Sequence, residues 1–231
     1  MTLETHPLWG TFSALIQAQS TQGPALIVAL TSPYSRSGTS HVARDLAKLA
    51  AAHYAQQNGR VALIDFDINA QSQALSFRGP GENLHGPFDA TFGQIPFWHV
   101  SDPKSKDQPL RPHPYCELFF VGETGLAVSR FNWDNVKSGQ SVTLQPAPAY
   151  WAAARAQFSM LIVDCPAFDR TEAALHMIPD ADAAILVSPA HRASEAEHTE
   201  LSQKINAAGG KCAGMILNSG LPLQEFAAAV S

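Results

Sequence analysis

The strongest constraint on the fold of this chain is the stretch Ala25–Ala43, which reads ALIVALTSPYSRSGTSHVA. Its first part, Ala25–Thr31, is a continuous apolar run typical of a buried parallel strand. A loop of small, turn-forming residues follows, and then the opening of a helix. Backbone N–H groups and a helix N-terminus converge in such a loop, and their partial positive charge suits a phosphate. The stretch therefore has the layout of a phosphate-binding loop.

The loop meets only half of the usual phosphate-binding pattern, G-x-x-x-x-G-K-[ST]. When the pattern is aligned on Gly38, Ser40 takes the hydroxyl position, but Pro33 takes the first glycine position and Thr39 the lysine position. A lysine ammonium about 4 Å from a phosphate contributes roughly 4 kcal/mol of attraction at an effective dielectric constant near 20. Thr39 offers only a neutral hydroxyl, so we expect a degenerate site.

A second apolar run, Arg60–Asp67, ends in two acids and is expected to be a buried strand. Strand, loop, helix and strand form a βαβ unit, and ligands of such folds bind at the carboxyl ends of the strands. Asp65 and Asp67 are therefore expected beside the loop, both pointing to the same side because they lie two apart in extended chain. The structural alternative is one solvated strand end and one helix N-cap. In that case Asp65, Asp67 and Asp164 cap helices or pair with Arg36, and the loop binds nothing.

The rest of the chain alternates strand and helix patterns, which predicts an α/β fold: a mostly parallel sheet with helices on both faces. We expect a single domain over residues 1–231, with residues 1–24 as a helical lead-in. Further strands are expected at Glu117–Val121, Phe158–Asp164, Ala181–Ser188 and Lys211–Asn218. Helices are expected at Leu8–Gln19, Ser40–Gln57, Pro146–Gln157, Arg170–Met177, Ala193–Ala208 and Pro222–Val230.

Residues 79–115 are expected to form an irregular, Pro-rich excursion that is either functional or poorly ordered. One short helix is predicted within it, near Asp89–Gln94. Its aromatic residues either pack on the domain or form a partner surface, and packing is favoured. These residues are Phe88, Phe92, Phe97 and Trp98.

Composition and charge exclude several classes of protein. The chain has 231 residues, a formal net charge of −5 and no Lys/Arg-rich run, so no nucleic-acid partner is expected. No apolar run approaches a membrane span, and the N-terminus lacks a secretory signal pattern. Cys116, Cys165 and Cys212 are odd in number and far apart, which argues against a disulfide framework or a zinc site. A cytoplasmic location is expected.

Five segments taken together resemble the MinD/ParA-like P-loop ATPases, and most of all the bacterial tyrosine kinases (BY-kinases). Those kinases are cytoplasmic partners of membrane chain-length regulators in exopolysaccharide export. The resemblance covers roughly Ala25–Ser219. The segments are TSPYSRSGTSHVARDLA, VALIDFDIN, FSMLIVDCPAF, ADAAILVS and AGMILN.

The resemblance implies roles for particular residues. Asn218 would contact adenine, and Asp65 and Asp67 would be the catalytic acids if the protein is active. If a nucleotide binds, Mg²⁺ would be held by Ser40, Asp67 and Asp164. The residues matched to the nucleotide-binding loop are Ser35, Arg36, Ser37, Gly38, Thr39, Ser40 and His41.

The sequence also departs from the family pattern. Arg36 replaces the glycine near the crown of the loop. Tyr34 stands where MinD-type proteins have their signature lysine, and Asn69 stands where the family has a basic residue after the two acids. The predicted N-terminal helix lacks the Glu and two Arg used in ring assembly. The last tyrosine is Tyr150, so the autophosphorylated tyrosine cluster is missing.

We therefore expect a non-catalytic, BY-kinase-like pseudokinase that regulates or scaffolds exopolysaccharide synthesis and export. Its expected partner is the cytoplasmic part of a membrane polysaccharide chain-length regulator or a related export protein, which would recruit it to the inner membrane. Either no cofactor or weakly bound ATP or ADP with Mg²⁺ is expected, and a homodimer is left open.

Two alternatives stand beside this expectation. The first is an active ATPase or protein-tyrosine kinase in which Arg36 replaces the loop lysine, since guanidinium suits phosphate geometry. The second is a MinD/ParA-like positioning protein acting on a membrane or DNA. The acidic net charge and the lack of a basic amphipathic C-terminal helix disfavour the second.

Overall fold

The computed structural model describes residues 3–19, 25–70, 72–78, 83–101 and 115–219. The strands within these residues are β1 (Leu26–Thr31), β2 (Val61–Asp65), β3 (Leu84–Asp89), β4 (Trp98–Ser101), β5 (Cys116–Val121), β6 (Leu126–Phe131), β7 (Ser141–Leu144), β8 (Met160–Asp164), β9 (Ala183–Pro189) and β10 (Cys212–Asn218). The α-helices are α1 (Trp9–Ala18), α2 (Thr39–Ala55), α3 (Ser72–Ser76), α4 (Pro148–Arg155) and α5 (Glu195–Ala207).

Eight of these strands form one sheet in the order β10-β9-β1-β8-β2-β6-β5-β3. The pairings β9–β10, β1–β9, β1–β8, β2–β8 and β2–β6 are parallel, whereas β5 pairs antiparallel with both β6 and β3. The parallel part contains the apolar runs from which the sequence predicted strands. The expectation of a mostly parallel sheet is confirmed.

Alternate residues of the central strands build two separate cores, one on each face of the sheet. Val28 and Leu30 of β1 pack with α1 and α2, whereas Ile27 and Ala29 pack with α4 and α5 on the opposite face. All six residues of β1 are buried, as expected for a strand covered by helices on both sides. The expected helices on both faces are confirmed.

The described part of the predicted excursion is more regular than the sequence suggested. β3 joins the sheet at its edge, and β4 pairs antiparallel with β7. The helix expected near Asp89–Gln94 is wrong, because β3 continues to Asp89 and a turn follows. The Asp89 carboxylate accepts bonds from the N–H and hydroxyl of Thr91, at 2.9 and 2.7 Å, and such local bonds compete with helix formation.

Packing, the favoured interpretation of the aromatic residues, holds for Phe97 and Trp98, whose exposed fractions are 0% and 2%. The ring of Phe97 stacks on that of Trp151 in α4, with centroids 5.6 Å apart. Phe88 on the edge strand is 51% exposed instead. Residues 79–82 and 102–114 of the excursion lie outside the described part of the chain.

Two other expectations differ from the structure or fall outside it. The helix predicted over Arg170–Met177 is a short 3₁₀ turn at Ala173–His176. The predicted C-terminal helix at Pro222–Val230 lies outside the described residues. No helix in the described part of the chain has the length and apolar character needed to cross a bilayer.

Candidate functional site at the carboxyl ends of the parallel strands

The loop between β1 and α2 keeps a tight turn although most of its glycines are replaced. Gly38 has φ +81° immediately before α2, and Arg36 adopts φ +63° while exposed to solvent. A residue with a Cβ rarely adopts this left-handed conformation. The hydroxyl groups of Ser32 and Ser37 both donate to the Tyr34 carbonyl at 2.7 Å. Side-chain bonds therefore fix the loop from within.

An acid of the same chain is bound at the crown of this loop. The N–H and hydroxyl of Ser35 donate to the two carboxylate oxygens of Asp169, at 2.8 and 2.7 Å. Slight burial of Asp169 opposes ionisation, but the two bonds from Ser35 outweigh it and lower the pKa of the carboxyl below its ordinary value. A negative charge of the protein thus lies on the loop that the sequence assigns to phosphate.

The asparagine that follows the last strand also contacts the loop. The Asn218 side-chain amide donates to the Ser37 carbonyl at 3.0 Å. A Cβ added at Gly38 would lie only 2.0 Å from the same amide nitrogen. A Cβ at position 38 would therefore force the Asn218 side chain to move. The expected contact of Asn218 with adenine stays a prediction.

Two of the three predicted acids face each other on neighbouring strands. Asp65 ends β2 and lies directly opposite Asp164, which ends β8, and their exposed fractions are 3% and 1%. Ser40, at the start of α2, lies beside Asp164, and its hydroxyl group helps to lower the pKa of that carboxyl. The structure therefore brings Asp65, Asp164 and Ser40 together, as expected for residues at the carboxyl ends of parallel strands.

A glutamine that sequence reasoning missed connects these three residues. The side-chain amide nitrogen of Gln73 donates to Asp164 Oδ2 at 2.7 Å and to the Ser40 carbonyl at 2.9 Å. Its backbone N–H donates to Asp65 Oδ2 at 3.1 Å, so Asp65 binds the first turn of α3. Arg44 on α2 donates in turn to the Gln73 side-chain oxygen at 3.2 Å.

Burial disfavours the ionised form of both acids. It raises the pKa of Asp164 to about 6, and it raises that of Asp65 well above its ordinary value, with the Asp164 charge as the next cause. The Oδ1 atoms of both carboxyl groups are buried without a hydrogen-bond partner in the described structure. Their charge is only partly compensated within the protein.

Asp67 is close enough to this pair for its charge to raise the pKa of both carboxyl groups. The N–H groups of Phe66 and Asp67 both donate to the Asp164 carbonyl, at 2.9 and 3.2 Å, just after β2 ends at Asp65. Asp67 pairs with Arg170 and lines a neighbouring cleft of about 700 Å³. The expectation that Asp65 and Asp67 point to the same side stays a prediction. Of the structural alternative, the helix cap holds for Asp65, which binds the first turn of α3, but both acids are buried rather than solvated, and the cation bound to Asp67 is Arg170 rather than Arg36.

The residues that the resemblance assigns to Mg²⁺ do not fit that ion as they are arranged. Mg²⁺ requires several oxygen ligands in near-octahedral geometry. The amide nitrogen of Gln73 is bound to Asp164 and to the Ser40 carbonyl, and Asp67 is held by Arg170. No group of three or more His, Cys, Asp or Glu side chains suited to a metal occurs among the described residues.

Some of the missed residues carried a signal in the sequence and others did not. Asp169 and Arg170 follow the exit of β8, so their closeness to the loop follows from the parallel order of β1 and β8. Gln73 carried no such signal in the sequence, because a polar residue at the start of a short helix is usually exposed. His41, assigned to the loop by the resemblance, is exposed and lies 3.3 Å from Asp45 on α2.

No protein-family model and no curated protein matches the sequence. Solved structures match it at low identity. The VpsO kinase domain has 18% identity and a TM-score of 0.60, over 91% of this chain and 91% of that one. The kinase domain of the Escherichia coli tyrosine kinase ETK has 18% identity and a TM-score of 0.58, over 94% of this chain and 74% of that one. The Pyrococcus furiosus cell division ATPase MinD has 16% identity and a TM-score of 0.50, over 89% of this chain and 79% of that one. The chain therefore has the fold shared by bacterial tyrosine kinase domains and MinD-like P-loop ATPases.

Proposed function

We propose that this protein is a kinase-like domain that does not transfer phosphate and that regulates or scaffolds exopolysaccharide synthesis and export by contact with another protein. The observation that carries the proposal is the bond between Ser35 and Asp169 at the crown of a loop whose lysine position is Thr39. The chain's own carboxylate is bound to a loop that lacks the cation for phosphate.

Electrostatics supports the absence of catalysis. Phosphoryl transfer depends mainly on positioning and on neutralising the charge of the β- and γ-phosphates. Here Thr39 contributes no positive charge, and the ionised Asp169 would repel an incoming phosphate. Arg170 does not compensate, because it is paired with Asp67. Nucleotide binding is therefore weak or absent.

The polysaccharide part of the proposal rests on the resemblance to BY-kinases alone. The likeness of fold to the VpsO and ETK kinase domains supports only the kinase-like fold. The partner in this proposal is the cytoplasmic part of a membrane chain-length regulator or a related export protein. This partner recruits the domain to the inner membrane.

Calorimetric titration with ATP and ADP, with and without Mg²⁺, tests the loss of catalysis. We expect no binding heat at millimolar nucleotide and no release of phosphate. Incubation with radiolabelled ATP is the second experiment. Label on a tyrosine of this chain would contradict the proposal. Titration with the purified cytoplasmic segment of a chain-length regulator from the same organism tests the partner separately.

A second function, an ATPase or protein-tyrosine kinase, is favoured by one observation. Arg36 is exposed at the crown of the loop, where its long side chain is within reach of a phosphate bound there. If the protein hydrolyses ATP, Arg36→Ala should abolish hydrolysis, whereas Lys137→Ala at an exposed position should not. An unaffected rate in Arg36→Ala would contradict this role.

A further inference from the structure

The side chain of Gln73 is completely buried between the loop helix and the acidic strand ends. Both hydrogens of its amide nitrogen have acceptors, Asp164 Oδ2 and the Ser40 carbonyl. Its oxygen accepts from Arg44, which can only donate, so the orientation of the amide is fixed. Each polar atom of the side chain is therefore bound to this site.

We propose that Gln73 takes the place of a divalent cation: its amide joins Ser40 on α2 to Asp164 on β8 and closes the acidic site to Mg²⁺. A bound cation would draw the same two elements together through oxygen ligands. The amide does so through two N–H groups. It is a neutral substitute supplied by the chain itself.

Distances and donor type distinguish the amide from a cation. The two acceptor oxygens lie 2.7 and 2.9 Å from the Gln73 nitrogen, whereas Mg²⁺ holds its oxygen ligands at about 2.0–2.1 Å. The cation would have to displace the amide, and the Gln73 nitrogen has no lone pair to offer it. The backbone bond from Gln73 to Asp65 holds the residue in place.

The charge balance of the site agrees with a neutral substitute. An amide satisfies one oxygen of Asp164 without cancelling its charge, and the Oδ1 atoms of Asp65 and Asp164 are left buried and unpartnered in the described structure.

Electron paramagnetic resonance of Mn²⁺, used as a probe for Mg²⁺, tests the proposal at about pH 8, where buried carboxyl groups ionise more readily. The wild-type protein should leave the free Mn²⁺ signal unchanged up to millimolar protein. Gln73→Glu keeps the shape of the side chain but replaces both donors by acceptors. It should bind Mn²⁺ at least about tenfold more tightly, in competition with Mg²⁺. Gln203→Glu, on the exposed face of α5, adds the same charge elsewhere and should behave like wild type.

Thermal unfolding gives a second readout that does not depend on activity. Without metal, the melting temperature of Gln73→Glu should be lower than that of wild type, because the new carboxylate oxygen faces the oxygens of Asp164 and of the Ser40 carbonyl. It should recover as Mn²⁺ is added. If that variant does not fold, Gln73→Ala takes its place, since it removes the amide and leaves room for a hydrated ion. The proposal is overturned if wild type binds Mn²⁺ at one Mg²⁺-competitive site, or if no folded Gln73 variant gains binding. Neither result affects the proposed loss of phosphoryl transfer, which depends on the loop.

Discussion

Asp65 and Asp164 lie directly opposite each other on the parallel strands β2 and β8, and both are almost fully buried. Neighbouring strands are about 4.8 Å apart, so the two carboxyl groups share one small volume. Burying two negative charges together is costly unless each is compensated. A neutral amide, a hydroxyl and one more distant guanidinium surround them, so the site favours protonation.

The first prediction concerns the pH dependence of stability. The pKa of Asp164 in the folded protein is about 6, above its ordinary 3.8, so the native state binds more protons than the unfolded state between these values. Asp164 should therefore lower the free energy of unfolding as pH rises from about 4 to about 6, and Asp65, whose pKa is also raised, should lower it further. Asp164→Asn should remove the part of this fall that belongs to Asp164 and stabilise the protein at about pH 7.5, by up to about 3 kcal/mol.

Urea unfolding of wild type and Asp164→Asn between about pH 4.5 and pH 8 measures this difference. The charged groups that act on Asp164 are Asp65, Asp67 and Arg44, and they are common to both proteins. Asp134→Asn, at an exposed position, is the control and should follow the wild-type curve. An Asp164→Asn protein that is less stable than wild type at neutral pH would show that the carboxylate is needed in its ionised form.

The second prediction restores the loop. Thr39→Lys returns the missing cation, and Asp169→Ala removes the carboxylate bound to Ser35. Because an added ammonium would first be attracted to Asp169, the double variant should bind ADP at least about tenfold more tightly than Thr39→Lys alone. Calorimetry without Mg²⁺ keeps the measurement independent of the acidic site.

Thr39→Lys combined with Asp134→Ala is the matched control for the second prediction. It removes one acid of the same type at an exposed position far along the chain, so its affinity should equal that of Thr39→Lys. Equal affinities of Thr39→Lys with and without Asp169 would mean that this carboxylate does not obstruct the loop.

Most of the parallel sheet could be predicted from the sequence because its strands are continuous apolar runs. β1, β2, β8 and β9 are buried at nearly every position, and such runs differ from any amphipathic pattern. β3 could not be recognised in the same way, because it is exposed and contains Pro87. The four-residue strand β7 has only partly buried and exposed residues, so its pattern is weak.

The site was predictable only as far as topology determines it. Parallel strands end at one edge, so Asp65 and Asp67 were expected beside the loop, and Asp164 was expected at the end of another strand. The structure places Asp65 and Asp164 side by side at that edge. The partners of the acids could not be predicted, because Gln73 and Arg170 reach them through tertiary folding.

The third prediction tests the contact between Asn218 and the loop. Gly38→Ala places a methyl group against the Asn218 amide and also enforces a left-handed conformation, so it should cost more than 2 kcal/mol, with the conformation accounting for about 1–2 kcal/mol. In an Asn218→Ala background, Gly38→Ala should lose only the free energy that the left-handed conformation costs. Urea unfolding of the four proteins in this cycle gives the coupling, expected at about 1 kcal/mol or more.

Additive effects of the two changes would contradict the third prediction, since they would mean that the Asn218 amide does not lie over Gly38. Asn218→Asp is a useful comparison. It keeps the size of the side chain but loses the donor to the Ser37 carbonyl, so it should be destabilised even with glycine at position 38.

The fourth prediction concerns strain at the crown of the loop. Arg36 has φ +63°, which costs a residue with a Cβ about 1–2 kcal/mol relative to the right-handed region. Glycine relieves this cost but loses about 0.5–1 kcal/mol through the greater entropy of its unfolded chain. Arg36→Gly should therefore raise the free energy of unfolding by about 0.5–1 kcal/mol.

Arg36→Ala is the matched control for the fourth prediction, because it removes the guanidinium but keeps the Cβ and its strain. If the side chain makes no stabilising contact, alanine should leave the stability unchanged while glycine raises it, and urea unfolding can resolve the two. A loss of stability in both variants would instead mean that the guanidinium makes a contact worth more than the strain. That result would favour Arg36 as the cation of the loop and would strengthen the enzymatic alternative.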